Sequence, residues 1–251
     1  MLGSLFRTSR AAAPTPRIPD DVRVYAIGDV HGRDDLLRQL LDQIDADDAS
    51  RTPKPSQLIF LGDLIDRGEQ SAAVVDRVLR LTAERQVRVL GGNHEELLLR
   101  TLSGDKEAAR IFVRAGGRET ILSYGVTAAN YDRADFDELP NLIRAHMPSG
   151  HIAFLEGLED MIEIGDYAFV HAGIRPGVPL AEQKPEHLRW IRSGFLDHKQ
   201  PHPRIIVHGH TITETIDERP NRIGIDTGAY ATGRLTAMGL DGDERWFIAT
   251  A

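Results

Sequence analysis

Six side chains that could bind metal ions follow five apolar, strand-like runs in this sequence. Each lies close to a glycine, in the segments GDVHG, GDLIDRG, GGNH, HAG and HGH, and the six are Asp29, His31, Asp63, Asn93, His171 and His210. Carboxylate, amide and imidazole groups bind hard or borderline divalent cations. Six such groups are too many for one ordinary ion, but they suit a pair of ions that shares one carboxylate and one water.

Asp63 is the expected shared ligand of that pair. The first ion is expected to bind Asp29, His31 and Asp63, and the second to bind Asp63, Asn93, His171 and His210. In the stretch LIFLGDLIDRGEQ, residues 58–70, the five positions after the apolar run and its glycine contain two carboxylates and a guanidinium, Asp63, Asp66 and Arg67. Buried, unpaired charge is costly, so Asp63 is tolerable at this position if divalent cations neutralise it.

The hydrophobic pattern predicts the elements that position these groups. Short runs such as VRVYAI, QLIFL and QVRVL alternate with segments such as RDDLLRQLLDQIDADD, whose leucines recur at helical spacing. This order predicts a layered α/β sheet with helical crossovers, and ligands bind beyond the carboxyl ends of such strands. RIGIDTGAY and GRLTAMGLDGDERWFIAT have no helix between them and predict a mixed or antiparallel second half. Residues from about 96 to 151 predict a helical insert near the rim of the site, within one domain spanning residues 20–251.

Composition excludes several classes of protein. The 251 residues contain no cysteine, which removes disulfides, thiolate nucleophiles and thiolate metal sites. The net charge of -8 argues against sequence-independent binding of nucleic acid, which needs a basic face. No apolar segment is long enough for secretion or membrane spanning, so we expect a cytoplasmic protein without a membrane partner.

Residues 1–19 contain three arginines and no acid, and predict a disordered tail, or alternatively a weak basic contact with a partner or an anionic surface.

The motifs GDVHGR, GDLIDRG, GGNHEE, HAGI and VHGHT, in this order, resemble the phosphoprotein phosphatase branch of the calcineurin-like metallophosphoesterases. AGGRETILSYG, LRWIRSGF and IDTGAYATGRLTAMGLD resemble further segments of bacterial members. The resemblance implies an αββα sandwich of two mixed β-sheets flanked by helices. It also implies two divalent metal ions, commonly Mn²⁺ in bacterial members, with Fe, Zn²⁺ and Mg²⁺ as alternatives.

The resemblance also implies roles for residues around the metal ions. His94 matches a proton donor that is oriented by Asp66. The residues implied at the substrate phosphate are Arg67, Arg192, Asn93 and Tyr230. His208 is interpreted as structural, although alternation along its strand places it on the same face as His210.

The implied activity is hydrolysis of phosphate monoesters by direct attack of a hydroxide that bridges the two ions. A serine/threonine protein phosphatase acting on a phosphorylated protein or peptide is the first reading, because Asp66 and Glu95 match the protein-phosphatase form of the motifs. Gly209-His210-Thr211-Ile212 lacks the second histidine typical of phosphodiesterases. Hydrolysis of dinucleoside tetraphosphates or small phosphoesters is the alternative, and a non-catalytic binding module on the same fold is a further one.

Overall fold

The computed structural model describes residues 15–250, and its first sheet combines parallel strands with a hairpin. The strands of this sheet are β1 (Arg23–Ile27), β2 (Ser56–Phe60), β3 (Gln86–Val89), β9 (Thr236–Asp241) and β10 (Glu244–Ala249). Their spatial order is β10-β9-β1-β2-β3, in which β1, β2 and β3 are parallel and the β9–β10 hairpin is antiparallel. The hairpin lies in the segment GRLTAMGLDGDERWFIAT, for which the sequence predicted a mixed or antiparallel arrangement.

The second sheet is also mixed. Its strands are β4 (Met161–Ile164), β5 (Tyr167–Val170), β6 (Ile205–His208), β7 (Asp217–Glu218) and β8 (Arg222–Gly224). They lie in the order β4-β5-β6-β8-β7, with β5, β6 and β8 parallel and the two edge strands antiparallel. Both sheets therefore present several parallel strand ends at one edge.

Alternating side chains on the strands separate the layers. Tyr25 and Ile27 of β1 pack in a core with helices α1 (Asp34–Ser50) and α2 (Ser71–Glu84), while Val24 and Ala26 pack against the second sheet. The outer face of the second sheet is covered in part by α9 (Pro185–Trp190). The order of layers is helix, sheet, sheet, helix, which confirms the predicted sandwich.

The segment between β3 and β4 is helical. Its helices are α3 (Asn93–Leu102), α4 (Lys106–Phe112), α5 (Arg118–Ser123), α6 (Ala128–Arg133), α7 (Leu139–His146) and α8 (Ser149–Glu156). A π-helical turn, Val113–Gly117, joins α4 to α5 at the position of the predicted AGG turn. The helices extend beyond the predicted limits of 96 and 151 at both ends, and their apolar side chains join the same core as β1.

The predicted tail divides into two parts. Residues 1–14 lie outside the described residues. Ile18 is buried in the core between the sheets and its N–H donates to the carbonyl of Gly242, so the packed part of the chain begins before the predicted boundary at residue 20. Among residues 15–250, no helix combines the length and apolar character needed to cross a bilayer.

Candidate active site

The predicted ligands directly follow strand ends, five of them in loops and Asn93 as the first residue of α3. Asp29 and His31 follow β1, Asp63 follows β2, Asn93 follows β3, His171 follows β5, and His210 follows β6. All six are buried. The parallel strands of both sheets therefore bring these groups together at one edge, as the sequence predicted for a single sheet edge.

Backbone conformation sets this site apart from the rest of the molecule. Within residues 15–250, positive φ angles at residues other than glycine occur at His31, Asp63, Asp66, Arg67 and His210. A left-handed conformation at a residue with a side chain costs on the order of 1–3 kcal/mol, and it persists only where the surroundings enforce it. All five are candidate site residues, so the strain of this fold is concentrated where the sequence predicts chemistry.

Two imidazoles are held in the tautomer that a metal ligand requires. Nδ1–H of His31 donates to the carbonyl of Ile65 at 2.8 Å, and Nδ1–H of His171 donates to the carbonyl of Leu61 at 2.8 Å. The Nε2 atom of each ring therefore faces the other candidate ligands, and such a backbone partner also fixes the orientation of the ring.

Asp63 is the centre of the cluster. Its Oδ2 lies 3.5 Å from Nε2 of His31, 3.4 Å from Nε2 of His171 and 3.8 Å from Nε2 of His94. Two groups of potential ligands share it, His31–Asp63–His94 and Asp63–His171–His210. This is the position that a bridging carboxylate occupies between two ions.

The first of these groups differs from the expected one, because it contains His94 in place of Asp29. The Asp29 carboxylate instead lies beside the second group, where its Oδ2 accepts the backbone N–H of His210 at 3.0 Å. Gly209 makes this approach possible, since a Cβ there would overlap Oδ1 of Asp29. Asn93 joins the second group, with its Oδ1 3.0 Å from Nε2 of His171.

Several buried polar atoms of the site have no partner. Asp29 Oδ1, His31 Nε2 and His210 Nε2 lack a hydrogen bond to any described residue. Buried polar atoms without partners are rare in folded proteins, and an ion bound at the site would account for them. The donor set of imidazole, carboxylate and amide fits a pair of divalent cations.

Electrostatics lead to the same conclusion. No lysine or arginine among residues 15–250 forms an ion pair with Asp29 or Asp63. Burial, and then the nearby carboxylate of Asp226, raise the pKa of Asp29 well above its usual value. Burial acts to lower the pKa of His171, but the Asp63 carboxylate outweighs it and raises that pKa to about 10. The Asp63 carboxylate thus favours the protonated form of His171, and binding of a metal ion to an imidazole requires the neutral form.

His94 and Asp66 form a close pair beside Arg67. Nδ1 of His94 donates to Oδ2 of Asp66 at 2.6 Å, and Nη2 of Arg67 lies 3.1 Å from Nε2 of His94. Burial acts to lower the pKa of His94, but the carboxylates of Asp63 and Asp66 outweigh it and raise that pKa above its usual value. The predicted orientation of His94 by Asp66 is therefore present in the geometry.

The remaining predicted phosphate contacts lie at the rim. Nη2 of Arg192 donates to the carbonyl of His210 at 3.3 Å, which places this guanidinium beside the second ligand group. Tyr230 lies in the short helix α10 (Ala229–Thr232) and its ring meets the edge of His31, with centroids 5.4 Å apart. The guanidinium carbon of Arg67 lies 4.7 Å from the centroid of the same ring. His208 packs away from the ligands, against Phe195 and Arg222, consistent with the structural role predicted for it.

Two buried carboxylates were not assigned a role from the sequence. Glu95 accepts the backbone N–H groups of Asp63, Leu64, Ile65 and Gly92. Glu95 lies three residues after Gly92, the N-cap of α3, and supplies the glutamate half of a capping box; glycine has no side chain to supply the other half. Asp226 follows β8, so the strand-end rule that found the six ligands also points to it; burial raises its pKa to about 6 and its Oδ2 has no described partner.

The chain is similar to known phosphatases and phosphoesterases in sequence and in fold. The family model described as calcineurin-like phosphoesterase matches residues 22–235. The asymmetrical bis(5'-nucleosyl)-tetraphosphatase PrpE of Oceanobacillus iheyensis is 34% identical and covers 92% of both chains. Serine/threonine-protein phosphatase 2 of Escherichia coli is 29% identical, over 85% of this chain and 90% of that protein. The crystal structure of a cold-active protein-tyrosine phosphatase from a psychrophilic Shewanella superposes with a TM-score of 0.56 at 20% identity, over 92% of this chain and 83% of that chain.

Proposed function

This chain belongs to the calcineurin-like phosphoesterase family, and we propose that it is a phosphomonoesterase acting on phosphorylated serine and threonine. The 2.6 Å contact between His94 and Asp66 carries this proposal. An alkoxide released from serine or threonine is a poor leaving group and needs a proton, whereas the phosphate released from a phosphoanhydride does not. A buried, oriented imidazole beside a phosphate-binding arginine is therefore most useful to an enzyme that cleaves alkyl phosphates.

The chain's own residues would divide the work as follows. Divalent cations, when bound by the ligands around Asp63, supply a water of lowered pKa as nucleophile and charge for the phosphoryl oxygens. Arg67 and Arg192 would hold the phosphate through forked guanidinium contacts that match two oxygens at once. His94 would hold the proton for the leaving oxygen at Nε2, while Asp66 fixes its Nδ1. Tyr230 would support the position of Arg67 from the solvent side. Mn²⁺ is our proposed cation.

The similarity to the Escherichia coli serine/threonine-protein phosphatase supports this substrate class. The similarity to the Oceanobacillus tetraphosphatase favours a second candidate, hydrolysis of dinucleoside tetraphosphates. A cavity of about 400 Å³ beside Arg67, lined also by Arg33 and Tyr230, offers space for a nucleotide leaving group. The two candidates differ in whether turnover depends on the proton of His94.

The test compares substrates after removal of metals and addition of Mn²⁺. The panel contains a phosphoserine peptide, a phosphotyrosine peptide, an activated aryl phosphate, diadenosine tetraphosphate and an aryl phosphodiester. We expect kcat/KM for the phosphoserine peptide to exceed that for diadenosine tetraphosphate by at least about tenfold. The reverse order would favour the tetraphosphatase, and inactivity towards every monoester would overturn the proposal.

The variant His94→Asn adds the leaving-group test. We expect kcat on the phosphoserine peptide to fall by about 100-fold or more, and kcat on the activated aryl phosphate by less than about tenfold. His146→Asn, an exposed histidine on α7, is the matched control and should leave both unchanged. Equal losses on both substrates in His94→Asn would remove the proton-donor role.

A further inference from the structure

One buried side chain of the helical segment between β3 and β4, Thr120, contacts the turn that contains Asp66 and Arg67. This residue lies in α5, and only 1% of its surface is exposed. Its Oγ1 donates to Oδ1 of Asp66 at 2.6 Å and accepts the backbone N–H of Asp66 at 2.8 Å. Ser71 lies behind it, with its Oγ 3.0 Å from Oγ1 of Thr120. One hydroxyl thus binds the carboxylate and the backbone of the same residue.

The two oxygens of Asp66 have different partners. Oδ1 receives the hydroxyl of Thr120, and Oδ2 receives Nδ1–H of His94. The carboxylate is completely buried and its residue has a φ of 73°, so its position depends on these contacts. Rotation of the carboxylate about its bond to Cβ would break both contacts, and it is opposed because the two oxygens are held from opposite sides.

A second contact from the same segment fixes the neighbouring residue. The carbonyl of Gly116, in the π-helical turn, accepts the backbone N–H of Arg67 at 3.1 Å. Gly116 has a φ of 110°, and a Cβ there would approach the backbone nitrogen of Arg67 to 2.8 Å. The left-handed pair Asp66–Arg67 is therefore held by two points of one helical segment.

We propose that Thr120 is a positioning residue for catalysis, whose hydroxyl aligns the carboxylate of Asp66 so that His94 presents its proton to the leaving group. This assignment rests on the proposed function insofar as it concerns turnover. Thr120 does not touch substrate; it acts through Asp66 and His94. The helical insert thereby supports the pair Asp66–His94 at the strand ends.

Two variants separate the hydroxyl from the volume of the side chain. Thr120→Val keeps the shape and removes the hydroxyl, and Thr120→Ser keeps the hydroxyl. We expect Thr120→Val to lower kcat on the phosphoserine peptide by about 10- to 100-fold, since a hydrogen bond to a charged group is lost, with KM and turnover of the activated aryl phosphate nearly unchanged. Thr120→Ser should restore most of kcat.

Thr101→Val is the matched control. Thr101 is buried in α3 and its hydroxyl donates only to the carbonyl of Leu97, away from the site. This variant should keep wild-type kinetics on both substrates. Equal losses on the alkyl and aryl substrates in Thr120→Val, or equal losses in Thr120→Ser and Thr120→Val, would overturn the proposal.

A spectroscopic measurement tests the positioning without turnover. In the metal-free full-length protein, the Nδ1 proton of His94 should give a downfield proton resonance that is absent in His94→Asn. We expect Thr120→Ser to keep this resonance, and Thr120→Val to shift it upfield or lose it to exchange with water. An unchanged resonance in Thr120→Val would overturn the positioning role. Failure of the wild type to hydrolyse phosphoserine would count against the proposed function alone, because this resonance would still decide the role of Thr120.

Discussion

At the residue scale, Asp63 is a carboxylate in a buried position, where a charge without a compensating partner would be unfavourable. It is 2% exposed, has a φ of 48°, and faces three imidazoles through one oxygen. Its other oxygen, Oδ1, accepts the backbone N–H of His94 at 3.1 Å. An amide of the same shape would keep one acceptor oxygen but lose the charge that both ligand groups share.

We predict that Asp63→Asn loses metal binding and activity together. Because both ligand groups contain this carboxylate, metal content measured by mass spectrometry should fall at both positions. kcat should fall by at least about 100-fold, the scale on which a missing charge-stabilising group acts. Asp42→Asn, on the exposed face of α1, is the control. An active Asp63→Asn protein that contains no metal would contradict the dinuclear interpretation.

The sequence alone predicted which residues would meet, because each ligand stands directly after an apolar run and parallel strands align such ends. It did not predict that His94 would lie together with His31 and Asp63 in the first group. Nor did it predict left-handed backbone at His31 or Arg67. These features depend on contacts between segments distant in the chain, for which the local pattern carries no signal.

At the element scale, Glu95 joins two loops. Its carboxylate lies in the first turn of α3 and accepts N–H groups from the loop after β2 and from Gly92 after β3. Burial raises the pKa of Glu95, while the bond from Gly92 acts to lower it. This contact joins the loops that follow two of the strands predicted from the sequence. The segment GGNHEE shows that an acid is present, but it does not show which backbone groups that acid binds.

We predict that Glu95→Gln lowers the free energy of unfolding. An amide would turn a donor towards N–H groups that need an acceptor, at a cost on the order of 1–3 kcal/mol for the partner left unsatisfied. Urea unfolding should show this loss, while Glu84→Gln on the exposed face of α2 should change stability by less than about 0.5 kcal/mol. Equal stability of the two variants would show that the four backbone bonds are not important.

At the scale of the whole molecule, the site joins the two sheets. Asp29, Asp63 and Asn93 follow strands of the first sheet, and His171 and His210 follow strands of the second. The layered fold was predictable from the alternation of strands and helices. That the predicted ligands would be shared between two sheets was not, since the sequence pattern does not tell which strands pair.

We predict that divalent cations stabilise the entire fold. At a free concentration 100 times the dissociation constant, one site adds about 2.7 kcal/mol, which raises the Tm of a chain of this size by about 5–10 °C. Calorimetry with Mn²⁺ and with a chelator measures the difference. Asp63→Asn should show no such rise, and a wild-type Tm that is indifferent to Mn²⁺ would contradict a site that bridges the sheets.

The bond between Asp29 and the backbone of His210 joins groups that are 181 positions apart. During synthesis on the ribosome, the strands that supply Asp29 and Asp63 emerge long before His171 and His210 do. A nascent chain at that stage contains every residue of the group His31–Asp63–His94 but lacks two of the three residues of the second group. Metal binding at the second group would therefore have to follow the docking of the second sheet, and a chain that ends before His210 would lack a ligand of that group.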